Sequence, residues 1–229
     1  MSQTTLYIVL LIPNYLQCIK VLLPHKTNIM RKIIVCEFLT MDGVLQSPGS
    51  PEEDTRNDFK WGGWSAPFWD DAMNNRMAEI TAAPYDLLLG RRTYEIFAAF
   101  WPKQEGDPTS ETFNKIEKYV VATTKIDLSW VNSTQISEDV VPHLEQLKSQ
   151  EGPDLLVYGS GRLVQTLLKH ELIDVLHTWI FPVTLGSGQK LFEEGTPAQQ
   201  WKLSSSITST TGVIVASYVP DGEVRTGTM

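Results

Sequence analysis

Cysteine is almost absent from this chain. Of 229 residues only Cys18 and Cys36 are cysteine. Two are too few for a disulfide framework and have no metal-ligand spacing, so a reducing cytoplasm is the expected compartment. Histidine is equally sparse. His25, His143, His170 and His177 are scattered without a His-x-x-x-His pair, so no metal site is expected. Positive charge is short as well: 19 Lys and Arg stand against 27 Asp and Glu, a net charge of −8 and a pI near 5.0. Such a surface repels backbone phosphates, and no local basic patch offsets it, so nucleic acid is not an expected partner. Long apolar runs are missing too. Residues 6–12 are apolar but meet Pro13 and Asn14, and residues 19–23 form a second short patch. Neither is long enough to span a membrane. The absence of a basic residue before Lys20 and of a small-residue cleavage site argues against a secretory signal. There is no internal repeat and no linker.

Hydrophobic residues make up 42% of the chain, enough for a real core. Residues 1–29 read as an appendage outside the fold; the alternative is an added strand or helix that packs on the domain. Met30-Arg31-Lys32-Ile33 reads as a natural protein start. A single domain is expected over residues 30–220, followed by a frayed tail at 221–229.

The stretch that organises the chain is Val157-Tyr158-Gly159-Ser160-Gly161-Arg162-Leu163-Val164. A short apolar run precedes it and leucines at helical spacing follow, so the glycines mark a strand turning into a helix. Glycine lets the backbone approach a phosphate, the first N–H groups of the helix carry partial positive charge, and Arg162 adds a fixed cation. A plain turn that binds nothing is the competing reading. The usual dinucleotide fingerprint is not met. Val164 stands at the third glycine position, and no strand-ending acid lies about 20 residues on.

Residues 32–38 are β-branched and read as a central strand, ending in the turn Thr40-Met41-Asp42-Gly43. Residues 46–67 form a long loop, rich in Pro and Gly, where Trp61 and Trp64 cover either a planar ligand or the core. Helical spacing follows over residues 68–83. A second strand, 86–89, runs into Gly90-Arg91-Arg92-Thr93-Tyr94-Glu95 and another helix. Two arginines at a helix start oppose the dipole, and an anionic ligand would relieve that repulsion; solvated surface charges are the alternative. Residues 119–124 form a strand ending in Thr123 and Thr124. Residues 137–149 form a helix with Ser137 as its cap, 172–183 a long strand, and 202–206 with 212–219 a closing antiparallel pair. Strands alternating with helices early, and paired strands late, predict an α/β fold. It has a mostly parallel sheet, an antiparallel C-terminal edge and helices on both faces. In such sheets ligands bind beyond the carboxyl ends of the strands. The Asp42 turn, the Gly90 junction, the Thr123 end and the Gly159 junction all fall there.

In this order the chain resembles the three-layer dihydrofolate reductase-like fold, and within it the riboflavin-biosynthesis reductase family. That family comprises the RibD C-terminal domain of bifunctional deaminase-reductases and its stand-alone relatives. The resemblance rests on Met41-Asp42-Gly43, Gly90 to Glu95, Ala122-Thr123-Thr124, Gly159 to Leu163, and Pro182-Val183-Thr184-Leu185-Gly186-Ser187-Gly188 with Leu191-Phe192. It implies NADPH as cofactor. Gly90, Arg91, Arg92 and Thr93 would meet the adenosine phosphate and pyrophosphate, and Thr123 and Thr124 would flank the 2′-phosphate. Gly159, Ser160, Gly161, Arg162 and Leu163 would form the pyrophosphate turn.

For catalysis it implies Asp42, which matches the family's Asp-Gly, and Asp70. The latter follows Trp64-Ser65-Ala66-Pro67 three residues past the proline, where a folate reductase has its acid two past. A turn aspartate and a first-turn helix acid are the alternatives for the two. Trp64 and Tyr94 are the candidate substrate contacts. The implied activity is hydride transfer from NADPH to a small heterocyclic or carbonyl-like substrate, most like 5-amino-6-(5-phosphoribosylamino)uracil. Dihydrofolate reduction, or nucleotide binding without catalysis, stands as the alternative. A homodimer is implied as well.

Overall fold

Short runs of leucine and β-branched residues build the sheet that positions everything else. In the computed structural model residues 30–228 are described, and before them only the backbone of two strands, β1 (Thr5–Ile12) and β2 (Tyr15–Leu22). These two pair antiparallel in a sheet of their own. The rest of residues 1–29, and with it the reading of that stretch as an appendage, lies outside the described residues.

The main sheet has eight strands: β3 (Ile33–Thr40), β4 (Tyr85–Gly90), β5 (Lys118–Val121), β6 (Ser133–Ile136), β7 (Asp154–Tyr158), β8 (Val175–Phe181), β9 (Trp201–Thr208) and β10 (Ile214–Pro220). Their spatial order is β6-β5-β4-β7-β3-β8-β10-β9. The first six run parallel, and β10 is antiparallel to both β8 and β9. The mostly parallel sheet with an antiparallel C-terminal edge is therefore present as the sequence pattern predicts.

Five α-helices cover it: α1 (Asp71–Ile80), α2 (Arg91–Phe100), α3 (Pro108–Lys115), α4 (Val140–Ser149) and α5 (Gly161–Lys169). Side chains alternate along a strand, so each face has its own core. On one face Val35, Leu39, Leu88, Leu155 and Val157 pack with Leu144 and Leu147 of α4 and Leu163, Val164 and Leu167 of α5. On the other, Cys36, Leu156, Trp179 and Phe181 pack with Met73 of α1, and Leu87, Leu89 and Val120 pack with Tyr94 of α2 and Phe113 of α3. Among the described residues no helix is long and apolar enough to cross a membrane.

Several boundaries differ from the sequence reading. The helix expected from residue 68 begins at Asp71, because residues 66–68 form a separate 3-10 turn and Asp70 is the N-cap. The cap of α4 is Asp139, in the left-handed region and without a side-chain cap bond, so Ser137 does not cap it. α3 and β6 were not expected at all. Part of the C-terminal tail is also tied down: Asp221 N–H donates to the Gln200 carbonyl at 2.8 Å and Arg225 N–H to Gln200 Oε1 at 3.2 Å.

The connections fix where a cleft can open. The chain leaves β3 toward α1 on one face, whereas it leaves β7 toward α5 on the other. β3 and β7 are neighbours. Adjacent strands whose connections depart to opposite faces leave a crevice beyond their carboxyl ends, where ligands bind in open α/β sheets.

Candidate active site

A cleft of about 930 Å³ opens at that crevice. Gly90, Arg91, Arg92, Thr93, Thr123, Thr124, Gly159, Ser160, Gly161, Arg162 and Leu163 all line it. The parallel register brings these three chain segments together, since β4, β5 and β7 end at the same edge.

The two strand–helix junctions touch. Ser160 Oγ accepts the Gly90 N–H at 2.8 Å and donates to Thr93 Oγ1 at 2.7 Å. A Cβ at position 90 would lie 3.0 Å from Ser160 Oγ and 3.1 Å from Ser160 Cβ, so any larger residue there would push Ser160 away by a few tenths of an ångström. Gly159 and Ser160 both adopt left-handed backbone, φ 56° and 68°. A serine held in that region is a local strain that its two hydrogen bonds maintain. With the side chain of Ser160 turned to α2, neither α2 nor α5 has a side-chain cap. No side chain caps their first-turn N–H groups, and the first-turn residues of both helices line the cleft.

Cations converge on the same place. Arg91 donates to Glu95 at 2.8 Å and to Thr124 Oγ1 at 2.6 Å, joining α2 to the end of β5. Gln135 of β6 holds that strand end by donating to the carbonyls of Ala122 and Thr124, each at 2.8 Å. Arg92 reaches Asp54 at 3.3 Å, and Asp54 is also gripped by Arg56. Burial opposes ionisation of Asp54, but hydrogen bonds and charge from Arg56, helped by Arg92, hold its carboxyl below the usual range. Arg162 has no ion-pair partner among the described residues and lines the cleft. Two uncapped helix starts, an arginine pair without a neighbouring first-turn acid, and one free arginine fit a ligand with several phosphates, so the donor set fits a dinucleotide carrying a 2′-phosphate.

The loop over residues 46–67 is ordered against this cleft rather than open. Gln46 spans it: its amide donates to the carbonyls of Asp54 and Arg56, its Oε1 accepts Gln189 N–H at 3.0 Å, and its carbonyl accepts the Trp64 indole N–H at 2.8 Å. Residues Gln46, Ser47, Pro48, Gly49, Glu53 and Asp54 form one wall.

Four candidate residues lie outside the cleft lining. Asp42 closes its own turn: it accepts the Thr40 hydroxyl at 2.5 Å and the N–H groups of Gly186 and Leu185 at 2.8 and 3.2 Å. The Thr40 bond first, then the two backbone bonds, keep its carboxyl below the usual range. Asp70 caps α1 through Met73 N–H at 2.9 Å and ties it to Thr210 through the hydroxyl at 2.6 Å and N–H at 2.8 Å; Thr210 also leads in lowering its pKa. Trp64 is buried, with its ring edge-on to Phe181; of its alternatives, it covers the core. Tyr94 is 1% exposed, and its oxygen accepts the buried Trp130 N–H at 3.1 Å. Hydrogen-bond demand and core packing account for all four positions. Tyr94→Phe, which strands the Trp130 N–H, is expected to cost about 1–2 kcal/mol. Urea unfolding would show this, with nucleotide affinity unchanged.

One cleft residue was not anticipated. Glu37, in the middle of β3, is 1% exposed and lines the cleft. Its Oε1 has no hydrogen-bond partner. Burial pushes its pKa up to about 8. A lone acid inside the β-branched run 32–38 was the available signal: a central parallel strand is buried on both faces, so an acid within it cannot reach bulk water.

Residues 31–215 match the RibD C-terminal domain. Two Bacillus subtilis (strain 168) proteins, both uncharacterized, are similar. YyaP is 26% identical over 192 residues, covering 82% of this chain and 94% of YyaP. YwjB is 28% identical over 179 residues, covering 77% and 91%. Among solved structures, a pyrimidine reductase-like protein from Corynebacterium diphtheriae shares the fold with a TM-score of 0.55 at 12% identity, over 88% of this chain and 96% of that one. Dihydrofolate reductase from Enterococcus faecalis, complexed with NADP(H), does so with a TM-score of 0.51 at 14% identity, over 83% and 96%. The three-layer sheet is thus the dihydrofolate reductase-like fold, and with most of its length matched, the chain belongs to the RibD C-terminal domain family.

Proposed function

We propose that this protein is an NADPH-dependent reductase of a small heterocyclic or carbonyl-like substrate. The observation that carries the reading is the paired junction: two uncapped helix starts joined through Ser160, with Arg91, Arg92 and Arg162 around them. Arginines at this place suit a 2′-phosphate, where an acid would select the unphosphorylated nucleotide. Membership of a reductase family and the likeness in fold to an NADP(H)-bound reductase support the same cofactor.

In this reading the nicotinamide supplies hydride, and the chain supplies everything else. The α2 and α5 starts hold the phosphates. Thr123 and Thr124, fixed by Gln135 and Arg91, flank the adenosine end. The 46–56 segment, pinned to Arg92 through Asp54, closes the cleft against water. The reading extends to a homodimer; the open edges of the main sheet are β6 and β9.

Fluorescence titration tests the cofactor assignment. Wild type is expected to bind NADPH at least tenfold more tightly than NADH. Arg92→Ala is expected to weaken NADPH by about 10–100-fold, the loss of one charge-assisted contact of about 1.5–3 kcal/mol. Gly159→Val, a β-branched residue forced to positive φ in the phosphate turn, should weaken both nucleotides. Equal affinity of wild type for NADPH and NADH would sink the 2′-phosphate assignment.

A further inference from the structure

The cleft needs more than a cofactor site. Reduction of a polarised double bond requires a proton as well as a hydride, and the group that supplies it has to stand where the substrate stands. Asp42 and Asp70, the acids that family resemblance singles out, are spent on a turn and a helix cap away from the cleft.

Glu37 is placed differently. It shares its face of β3 with Val35 and Leu39, the α5 side of the sheet. The last β3–β7 pair is Cys36 with Tyr158, so Glu37 lies one position beyond it, at the level where β7 gives way to the Gly159 turn. On its other side its register partner is Thr178 of β8, whose Oγ1 is also buried without a partner. Two orphaned oxygens on neighbouring strands are costly in an apolar floor, and such groups persist where a ligand satisfies them.

The remaining titratable groups of the cleft are otherwise engaged. Asp54 is locked between Arg56 and Arg92, and Glu95 is paired with Arg91. Glu53 accepts the N–H groups of Gly49 and Ser50 at 2.6 and 3.3 Å. Cys36 and Tyr158 lie on the opposite face of the sheet, where burial drives both far above neutrality.

We propose that Glu37 is the catalytic acid of this cleft: its carboxyl hydrogen-bonds the heteroatom of the reducible C=N or C=O and delivers the proton. The assignment rests on the reductase reading above. The step balances as one C–H and one N–H or O–H bond formed. The electron pair of the C–H bond comes with the hydride from the reduced nicotinamide, which becomes oxidised. The proton comes from the Glu37 O–H bond, which breaks, leaving a carboxylate that water reprotonates. A carboxyl kept neutral near pH 7 by an apolar site is suited to this, as it donates one hydrogen bond and accepts another.

The first test needs no substrate. Infrared difference spectra of the unliganded protein, wild type minus Glu37→Gln, are expected to show a protonated carboxyl at pH 7 that converts to carboxylate as pH rises past about 8. A Glu37 ionised at pH 7 overturns the assignment.

The second follows oxidation of bound NADPH in single turnovers, with 2-methyl-1-pyrroline as imine probe and cyclohexanone as ketone probe. Wild type is expected to reduce at least one. Glu37→Gln is expected to bind NADPH within threefold of wild type and to slow hydride transfer by about 100-fold or more. Transfer by Glu37→Gln within threefold of wild type overturns the role of Glu37, as does a wild type that binds NADPH yet reduces neither probe; both leave the cofactor reading standing. A wild type that binds no NADPH overturns the reductase reading itself.

Discussion

Arg31→Met is expected to lower the unfolding free energy by about 3–5 kcal/mol, because it strands a buried carboxylate. Arg31 is 3% exposed and ion-paired with Asp86, itself nearly buried. The same guanidinium donates to the carbonyl of Pro153 and lies over the Tyr119 ring, 5.3 Å from its centroid. One side chain at the start of β3 therefore ties down β4, β5 and the entry to β7, all at the amino-terminal edge of the sheet. The partner carboxylate holds Glu117 N–H at 3.2 Å, and Lys118 is the other cation near enough to feel its charge. Chemical denaturation of Arg31→Met, Asp86→Asn and the double variant measures the pair as a cycle. The double variant should recover much of the loss, since neither charge is left alone. A cost below about 1 kcal/mol for Arg31→Met would show that Asp86 finds water or neutralises at little expense. Nucleotide affinity should not change in any of the three, because the cleft lies at the opposite edge of the sheet.

Glu37→Gln is expected to stabilise the protein, and the gain should grow with pH. In the folded state burial pushes Glu37 up to about 8 from an ordinary 4.5. Between these values the unfolded chain releases its proton while the folded protein keeps it. The folded state then binds more protons, so wild-type stability falls as pH rises through this window. Below about pH 4.5 both states are protonated and the variant should match wild type. Above about pH 8 the full difference is present, with an upper bound near 5 kcal/mol at 1.36 kcal/mol per pH unit. Relaxation and water entry around the ionised carboxylate reduce the expected gain to roughly 2–4 kcal/mol. Urea unfolding at pH 4.5, 6.5 and 8.5 reads it directly. A Glu37→Gln variant less stable than wild type at pH 8.5 would mean that the carboxylate is paired or solvated. A residue that costs stability where it stands while facing a cleft is what a trade of stability for activity looks like.

Much of the frame was legible. The run 32–38 and the leucines of 86–89 and 154–158 are apolar enough to be central strands, and each runs into Asp-Gly or Gly, the residues that leave a strand sharply. Such ends on parallel strands must lie at one edge. Their convergence follows from strand direction alone, and Gly90–Thr93, Thr123–Thr124 and Gly159–Leu163 do line one cleft. β6 was not legible, because its Ser133-Thr134-Gln135-Ile136 has no apolar alternation. α3 was missed although Asp107 before Pro108 is a helix start, with Asp107 accepting Ser110 N–H at 2.9 Å. Eight residues carry too little periodicity to outweigh the turn-like Gly-Asp-Pro before them.

By itself the sequence determined the strand and helix order, the parallel edge that gathers the phosphate-binding turns, and the acidic, cysteine-poor character of the chain. These depend on residue type at short range: β-branching, the reach of glycine into positive φ, and the charge at a helix start. The tertiary structure alone decided which polar groups are spent and which are left over. Asp42, Asp70 and Tyr94 found partners far along the chain or across a helix turn, whereas Glu37 found none. Whether a carboxyl is solvated, paired or orphaned depends on what packs around it from distant segments, and no local pattern carries that information.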